Sequence, residues 1–236
     1  MDKFAILRME KKKSQLEITR AVAHNHRLIP SKADIQQGPV QVLFGDQHAA
    51  KHAKKILAQH KIRKNAVYAL EFVLGASPEY FRDDPDEAGA YDWAAYEALE
   101  AKAVSWILKN FDESIIVSGA GHLSETTPHF HFLIIPVDPK GKLNAQHWIG
   151  TPQKMRDLQT SWANEVKDLG LVRGKPNKET KHVPLSVYRQ FQFLGIKAFR
   201  QLMAILSFSR PKKKEDSDDK PKPLLPKDDE RPFFKF

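Results

Sequence analysis

The stretch His122 to Pro136, HLSETTPHFHFLIIP, decides how this chain reads. From Phe130 to Val137 it is an apolar run of the kind a buried strand carries, and His129 and His131 enter that register two residues apart. Side chains two apart on a strand share a side, so the two imidazoles face one way while Phe130 and Phe132 face the opposite layer. At about 6–7 Å apart on one face, two such rings can share a divalent cation. His122, across the turn SETTP, returns to that face from a neighbouring strand and completes a three-nitrogen set with positions left for substrate oxygens. A lone strand histidine reads as a hydrogen-bonded structural residue; three at this spacing, with Glu125 between them, read as a site. An open metal there is a Lewis acid suited to a phosphoryl or carbonyl group.

Working outward, the pattern is that of a mixed α/β domain. Phe4–Met9 and Val67–Gly75 read as strands, Val40–Phe44 as a short apolar run, and Ser114–Val117 and Phe130–Val137 as the strands flanking the motif. Ser14 and Glu17 form a capping box that opens a helix running to about Asn25. Asp46 is the expected N-cap of a basic helix ending near Ile62, and a helix from Tyr91 to Phe111 places Trp93, Tyr96, Ala103, Trp106 and Ile107 on one face. SPEYFRDDPDEAG reads as a polar loop, Pro152–Leu169 as an amphipathic helix and Val187–Phe208 as a last one. Residues 1–208 are thus expected to be the folded domain. The charged, proline-rich tail 209–236 is expected to be disordered, because it cannot bury enough apolar surface to offset its ordering entropy. The expected architecture is an antiparallel β-sheet carrying the histidines on an open face, with helices packed behind it.

Composition narrows the chemistry. The 236 residues contain no cysteine, so disulfides and thiolate zinc sites are excluded and any metal rests on His, Asp or Glu. Lys plus Arg is 38 against 29 acidic residues, a net charge of +9, which suits a polyanionic partner. No apolar run approaches the length of a membrane span and the start is unlike a signal peptide, so the expected compartment is the cytoplasm.

The motif resembles the three-histidine signature H-x-D-E-T-T-P-H-x-H of the MobV relaxases, the Mob/Pre plasmid mobilisation and recombination family of the HUH endonucleases. Other stretches agree in order: AILRMEKKK with HNHR (His24–Arg27), VYALEFVLGASPEYF, and KMRDLQTSWANEV with GLVRGKPNKETKHVPLSVY, so that the likeness covers roughly residues 1–190. It implies an HUH-relaxase-like fold and a site- and strand-specific DNA nicking enzyme. Such an enzyme attaches covalently to one strand of plasmid DNA at a transfer origin (oriT), rejoins it later, and works with conjugation coupling or accessory proteins. It further implies that His122, His129 and His131 hold a divalent metal, Mn2+ or Mg2+, that Glu125 orients a ligand or acts as acid/base, and that His24 of HNxR is the nucleophile. His26 and the tyrosines Tyr91 and Tyr96 are the rivals of His24, although core packing explains Tyr96 more cheaply. Arg27 is expected to position phosphate near His24. Glu71, a carboxylate inside an apolar strand, is expected to orient His24 or a metal ligand, with a surface strand position as the alternative. Arg63, Lys64 and Lys11–Lys13 are candidate phosphate contacts. Ser124 departs from the signature, which has an acidic residue there. Two other readings compete: a phosphoesterase using activated water, and a non-catalytic origin-binding protein.

Overall fold

Alternation on one strand sorts the molecule into two layers. The structure, a computed structural model, describes residues 2–30, 34 and 40–174. Six strands, β1 (Phe4–Lys12), β2 (Val40–Phe44), β3 (Ala69–Ala76), β4 (Ile116–His122), β5 (His129–Ile134) and β6 (Val172–Arg173), form one sheet in the order β2-β4-β5-β3-β1-β6. All pairings are antiparallel except β1 with β6. Bulges fall at Val42/Phe44 and Ile116/Ser118, shifting register near the β2 edge.

The helices are α1 (Gln15–Asn25), α2 (Ala49–Leu57), α3 (Pro78–Phe81), α4 (Trp93–Asn110), α5 (Ala145–Ile149) and α6 (Pro152–Glu165). Phe130 and Phe132, with Leu70, Phe72 and Leu74 of β3, are buried against Tyr96, Leu99, Trp106 and Ile107 of α4 and Trp162 of α6. Fully burying each such side chain is worth about 1.5–3 kcal/mol, so this layer is the main source of stability. On the other face, Ile18 and Val22 of α1 and Ala49, Ala53 and Leu57 of α2 cover Ala69, Val117, Leu133 and Ile135. That face is therefore not bare, as the open-sheet expectation had it. Helices close its Ile135 end, and the histidines stand at the other end.

Local differences from the sequence reading have physical causes. The N-cap of α2 is His48, while Asp46 accepts from His48 N at 2.6 Å and so caps the preceding turn. The helix stops at Leu57, short of Ile62. SPEYF contains α3, opened by Pro78 at the first helical position, where a missing N–H costs nothing. On α4, Trp93 is 51% exposed and leaves the face that Tyr96, Ala103, Trp106 and Ile107 share. Ser14 caps α1 as expected, accepting from Glu17 N at 3.2 Å. The helix expected at Val187–Phe208, and the boundary at 208, lie outside the described residues. Among the described residues no helix is long and apolar enough to cross a membrane.

Candidate active site

Three elements meet at the histidine end of the sheet. In the β4–β5 register His122 pairs with His129 and Ala120 with His131, so the three imidazoles share one face. Their ring centroids lie 4.5–5.3 Å apart. The last turn of α1 brings a fourth ring, His24, to 4.9 Å from His122 and 5.3 Å from His131. Glu125, on the turn between the strands, places Oε1 3.4 Å from His122 Nδ1 and Oε2 3.9 Å from His129 Nε2. Candidate ligand atoms of His24, His122 and His131, and of His122, Glu125 and His129, fall within 4.8 Å of one another.

The partners of each ring separate its two nitrogens. His122 Nε2 lies 3.1 Å from the Asn25 carbonyl, His129 Nδ1 2.8 Å from the Thr127 carbonyl, and His131 Nδ1 3.0 Å from Glu71 Oε1. Each partner is an acceptor, so each fixes its nitrogen as the N–H and leaves a lone pair on the other. Those others, His122 Nδ1, His129 Nε2 and His131 Nε2, look into the site. Two of them, His122 Nδ1 and His131 Nε2, are buried without a hydrogen-bond partner. Buried imidazole nitrogens without partners are the donor set a borderline divalent metal takes, so the residues fit such an ion.

His24 is backed differently. Its Nδ1 lies 3.3 Å from Arg27 Nη1, a cation, and its Nε2 lies 3.9 Å from Glu125 Oε1. A ring already beside a guanidinium is a poor partner for a second cation. Arg27 owes this position to the end of α1. The Leu28 amide donates to the Ala23 carbonyl and the Arg27 amide to that of His24, a Schellman pair, with Arg27 at φ +50° where glycine is usual. An arginine held left-handed costs about 1 kcal/mol. It turns the guanidinium back so that Nη1 meets His24 while Nη2 lies 2.6 Å from Glu125 and 2.9 Å from Asp34.

The electrostatics follow from burial and neighbours. Burial first, and then His131 and His122, lower His24 to about 4. Burial likewise leads in lowering His129, to about 3, and in lowering His122. Burial alone would raise Glu71, but His131 and Lys12 hold it well below the usual carboxylate range. Glu125 is held low against its burial by His122, His129 and Arg27. At neutral pH the rings of His24, His122 and His129 are therefore neutral and the carboxylates of Glu71 and Glu125 ionised.

The structure brings together His24, Arg27, Glu71, His122, Glu125, His129 and His131, every site residue read from the sequence. Glu71 is buried and orients His131, not His24. His26 is drawn aside to Ser118 Oγ at 2.9 Å. Tyr96 is buried on the opposite face against Phe130, and a Cβ on Gly121 would fall 2.2 Å from its hydroxyl, so it is core. Tyr91 packs with it and with Trp93. Lys12 is no phosphate contact: it is buried, 2.7 Å from Glu71 and 3.0 Å from Glu10, whereas Lys11, Lys13, Arg63 and Lys64 are exposed. Two residues escaped the sequence reading. Asp34 joins Arg27, and Arg82 donates to the Thr126, Ala90 and Pro85 carbonyls and so clamps the turn that carries Glu125. An arginine inside an acidic loop carries no signal that it turns inward.

The sequence model of the family Mob_Pre, plasmid recombination enzyme, matches residues 1–190. The chain belongs to the Mob_Pre family. Among curated relatives, a 65 kDa protein of Zymomonas mobilis is 29% identical over 195 residues, covering 77% of this chain and 32% of that protein. A plasmid recombination enzyme of Lactiplantibacillus plantarum is 25% identical over 167 residues, 70% of this chain and 42% of that one. The chain thus spans about a third to two fifths of these relatives' length. Among solved structures, the manganese-bound MobM relaxase domain (MOBV; Mob_Pre) with plasmid oriT DNA matches at a TM-score of 0.65 and 25% identity, over 79% of this chain and 99% of that domain. The mixed α/β fold is that of this relaxase domain.

Proposed function

We propose that this chain is the catalytic part of a metal-dependent relaxase, which nicks and rejoins one DNA strand at a plasmid transfer origin through a covalent protein–DNA intermediate. The observation that carries the proposal is the difference in backing: three imidazoles are held by acceptors with their lone pairs turned inward, and the fourth, His24, stands beside them against Arg27. The manganese and oriT DNA bound by the MobM relaxase domain support the same reading.

His122 Nδ1, His129 Nε2 and His131 Nε2 would hold a divalent cation, which supplies positive charge for the scissile phosphate; nitrogen ligands favour manganese over magnesium. His24 is neutral near pH 7; with Nε2–H turned to Glu125 its lone pair is on Nδ1, which attacks phosphorus as Arg27 Nη1 shifts from that nitrogen to the phosphate. The P–N bond forms as the P–O bond to the 3′ side breaks, and the departing oxygen takes a proton from water. Glu125, 3.9 Å from His24 Nε2, is the base for the ring proton. Arg27 keeps the His24 ring in place and meets developing charge on the phosphate. Glu71 fixes the His131 tautomer from behind. A histidine–phosphate bond is high in energy, so the 3′ hydroxyl can reverse the step and reseal the strand.

The test is a denaturing gel of manganese-loaded protein with end-labelled single strands spanning the transfer origin of its plasmid. Wild type is expected to carry DNA as a covalent adduct, and His24→Ala and His129→Ala to carry none. Nicking without an adduct would put an activated-water phosphoesterase in its place. Binding that is indifferent to chelators, with no nick in any variant, would leave only an origin-binding protein.

A further inference from the structure

Arg27 is caught between two carboxylates, and only one of them belongs to the turn that carries the histidines. Nη2 donates to Glu125 Oε1 at 2.6 Å and to Ser124 Oγ at 3.3 Å, and Asp34 Oδ1 forms an ion pair with it at 2.9 Å. Asp34 comes from the segment between α1 and β2, and no signature motif includes it. It is fastened to the site by Ser124, whose hydroxyl donates to the same Asp34 oxygen at 2.5 Å and lies 3.3 Å from Arg27 Nη2.

Glu125 meets two demands that conflict. It holds Arg27, and it also faces the inward nitrogens of His122 and His129 at 3.4 and 3.9 Å. A carboxylate that turns toward a cation on those nitrogens loosens its grip on the guanidinium. Without Asp34, Nη2 would then keep only the long contact to Ser124 Oγ, at 3.3 Å, and its hold on the turn would weaken. A second anchor on Nη2 removes the conflict. The charges agree: apart from the Lys12–Glu71 pair, the site sets one guanidinium against two carboxylates. A divalent cation and the single negative charge of a phosphodiester bring that set to neutrality. Without Asp34 the loaded site would retain an excess positive charge and attract the cation less strongly.

We infer that Asp34, held by Ser124, is a positioning residue that anchors Arg27 against His24 and supplies the second carboxylate of the cation site, leaving Glu125 free to face the cation. The Ser124–Asp34 pair places one carboxylate beside Arg27 Nη2, where an aspartate at 124 would reach unaided. The serine standing in place of the signature's acidic residue is thereby compensated from another segment. The consequence for nicking rests on the relaxase reading; the consequence for the cation does not.

The experiment compares wild type, Asp34→Asn and the double variant Asp34→Asn/Ser124→Asp. Manganese affinity is titrated calorimetrically, adduct formation is timed on the gel described above, and the melting temperature of the metal-free protein checks folding. Loss of a partner behind a metal site typically costs 10–100-fold, so Asp34→Asn is expected to weaken manganese binding and slow the adduct by at least about ten-fold. The double variant is expected to recover most of both, which a merely structural role would not allow. Asp34→Asn with wild-type manganese affinity, or a folded double variant that recovers nothing, overturns the inference. Wild type that binds manganese but forms no adduct defeats the nicking reading, and the titration still decides for or against Asp34.

Discussion

Strand β5 presents two chemistries from four consecutive residues. Phe130 and Phe132 are sealed under α4 and α6, while His129 and His131 stand on the other face with ring centroids 5.0 Å apart. The phenylalanine face is satisfied by contact alone. The histidine face keeps buried lone pairs without partners, which costs stability and readies the site for a cation. The two faces should therefore respond differently to truncation. Phe132→Ala is expected to cost about 3–5 kcal/mol in urea unfolding, with or without manganese. His131→Ala should cost the metal-free protein much less. It should also abolish the stabilisation that manganese gives wild type, about 2.7 kcal/mol at a hundred times Kd. Equal losses in the metal-free protein would break the distinction between a structural and a reactive face.

The next test sharpens the comparison from behind the reactive face. Lys12, Glu71 and His131 form a chain across β1, β3 and β5, with contacts of 2.7 and 3.0 Å. An ionised Glu71 makes His131 a better electron-pair donor than an amide would. Glu71→Gln is therefore expected to weaken manganese binding about ten-fold while Phe132 and its neighbours stay packed. It also leaves Lys12 with only the exposed Glu10, so melting curves should register a moderate loss from a buried, half-paired charge. Unchanged manganese affinity in a folded Glu71→Gln protein would reduce Glu71 to a partner for Lys12 alone.

How much of this was legible depended on whether a residue's meaning was local. His129 and His131 announced themselves because strand alternation fixes their side, and His122 followed because a short turn returns the chain to the adjacent strand. The N-cap at Ser14 held for the same reason, although Glu17 reaches back to the Lys13 amide and not to that of Ser14. That His24 lies near the three strand histidines came from the family likeness, since nothing in a helical period says where a helix's last turn docks. Asp34 and Arg82 were not legible: each acts through tertiary contacts far along the chain, with Arg27 or with Thr126. Lys12 misled because a basic run usually means a solvated face, and only the β1–β3 pairing shows that one lysine of three turns inward to Glu71. The left-handed Arg27 was equally hidden, since glycine is the residue that signals that position.

The smallest effect expected is the pH dependence of the metal-free protein, and it again separates the two faces. The phenylalanine side does not titrate. On the other side His24 and His129 are held at about 4 and about 3, against about 6.5 for a free imidazole, with burial the leading cause in both. Between those values the unfolded chain takes up protons that the folded one does not. This contribution to stability is whole above about pH 6.5 and declines as pH falls toward the folded values. From about pH 7 to about 5 the carboxylates held low by their partners, Glu71 and Glu125, stay ionised, so the histidines dominate the slope. The melting temperature should fall modestly over that range, because His24 is a third exposed and solvent screens its neighbours. His24→Asn should flatten part of the slope. Protons should compete with manganese for His129 only below that range, because the folded ring is already neutral there. A metal-free melting temperature that stays level from about pH 7 to about 5 would mean that the histidine face is open enough to be protonated in the folded state. Below about pH 6.5 His24 would then enter the reaction carrying a proton it must first lose, and Glu125 would have to remove two protons from the ring where the neutral imidazole requires only one.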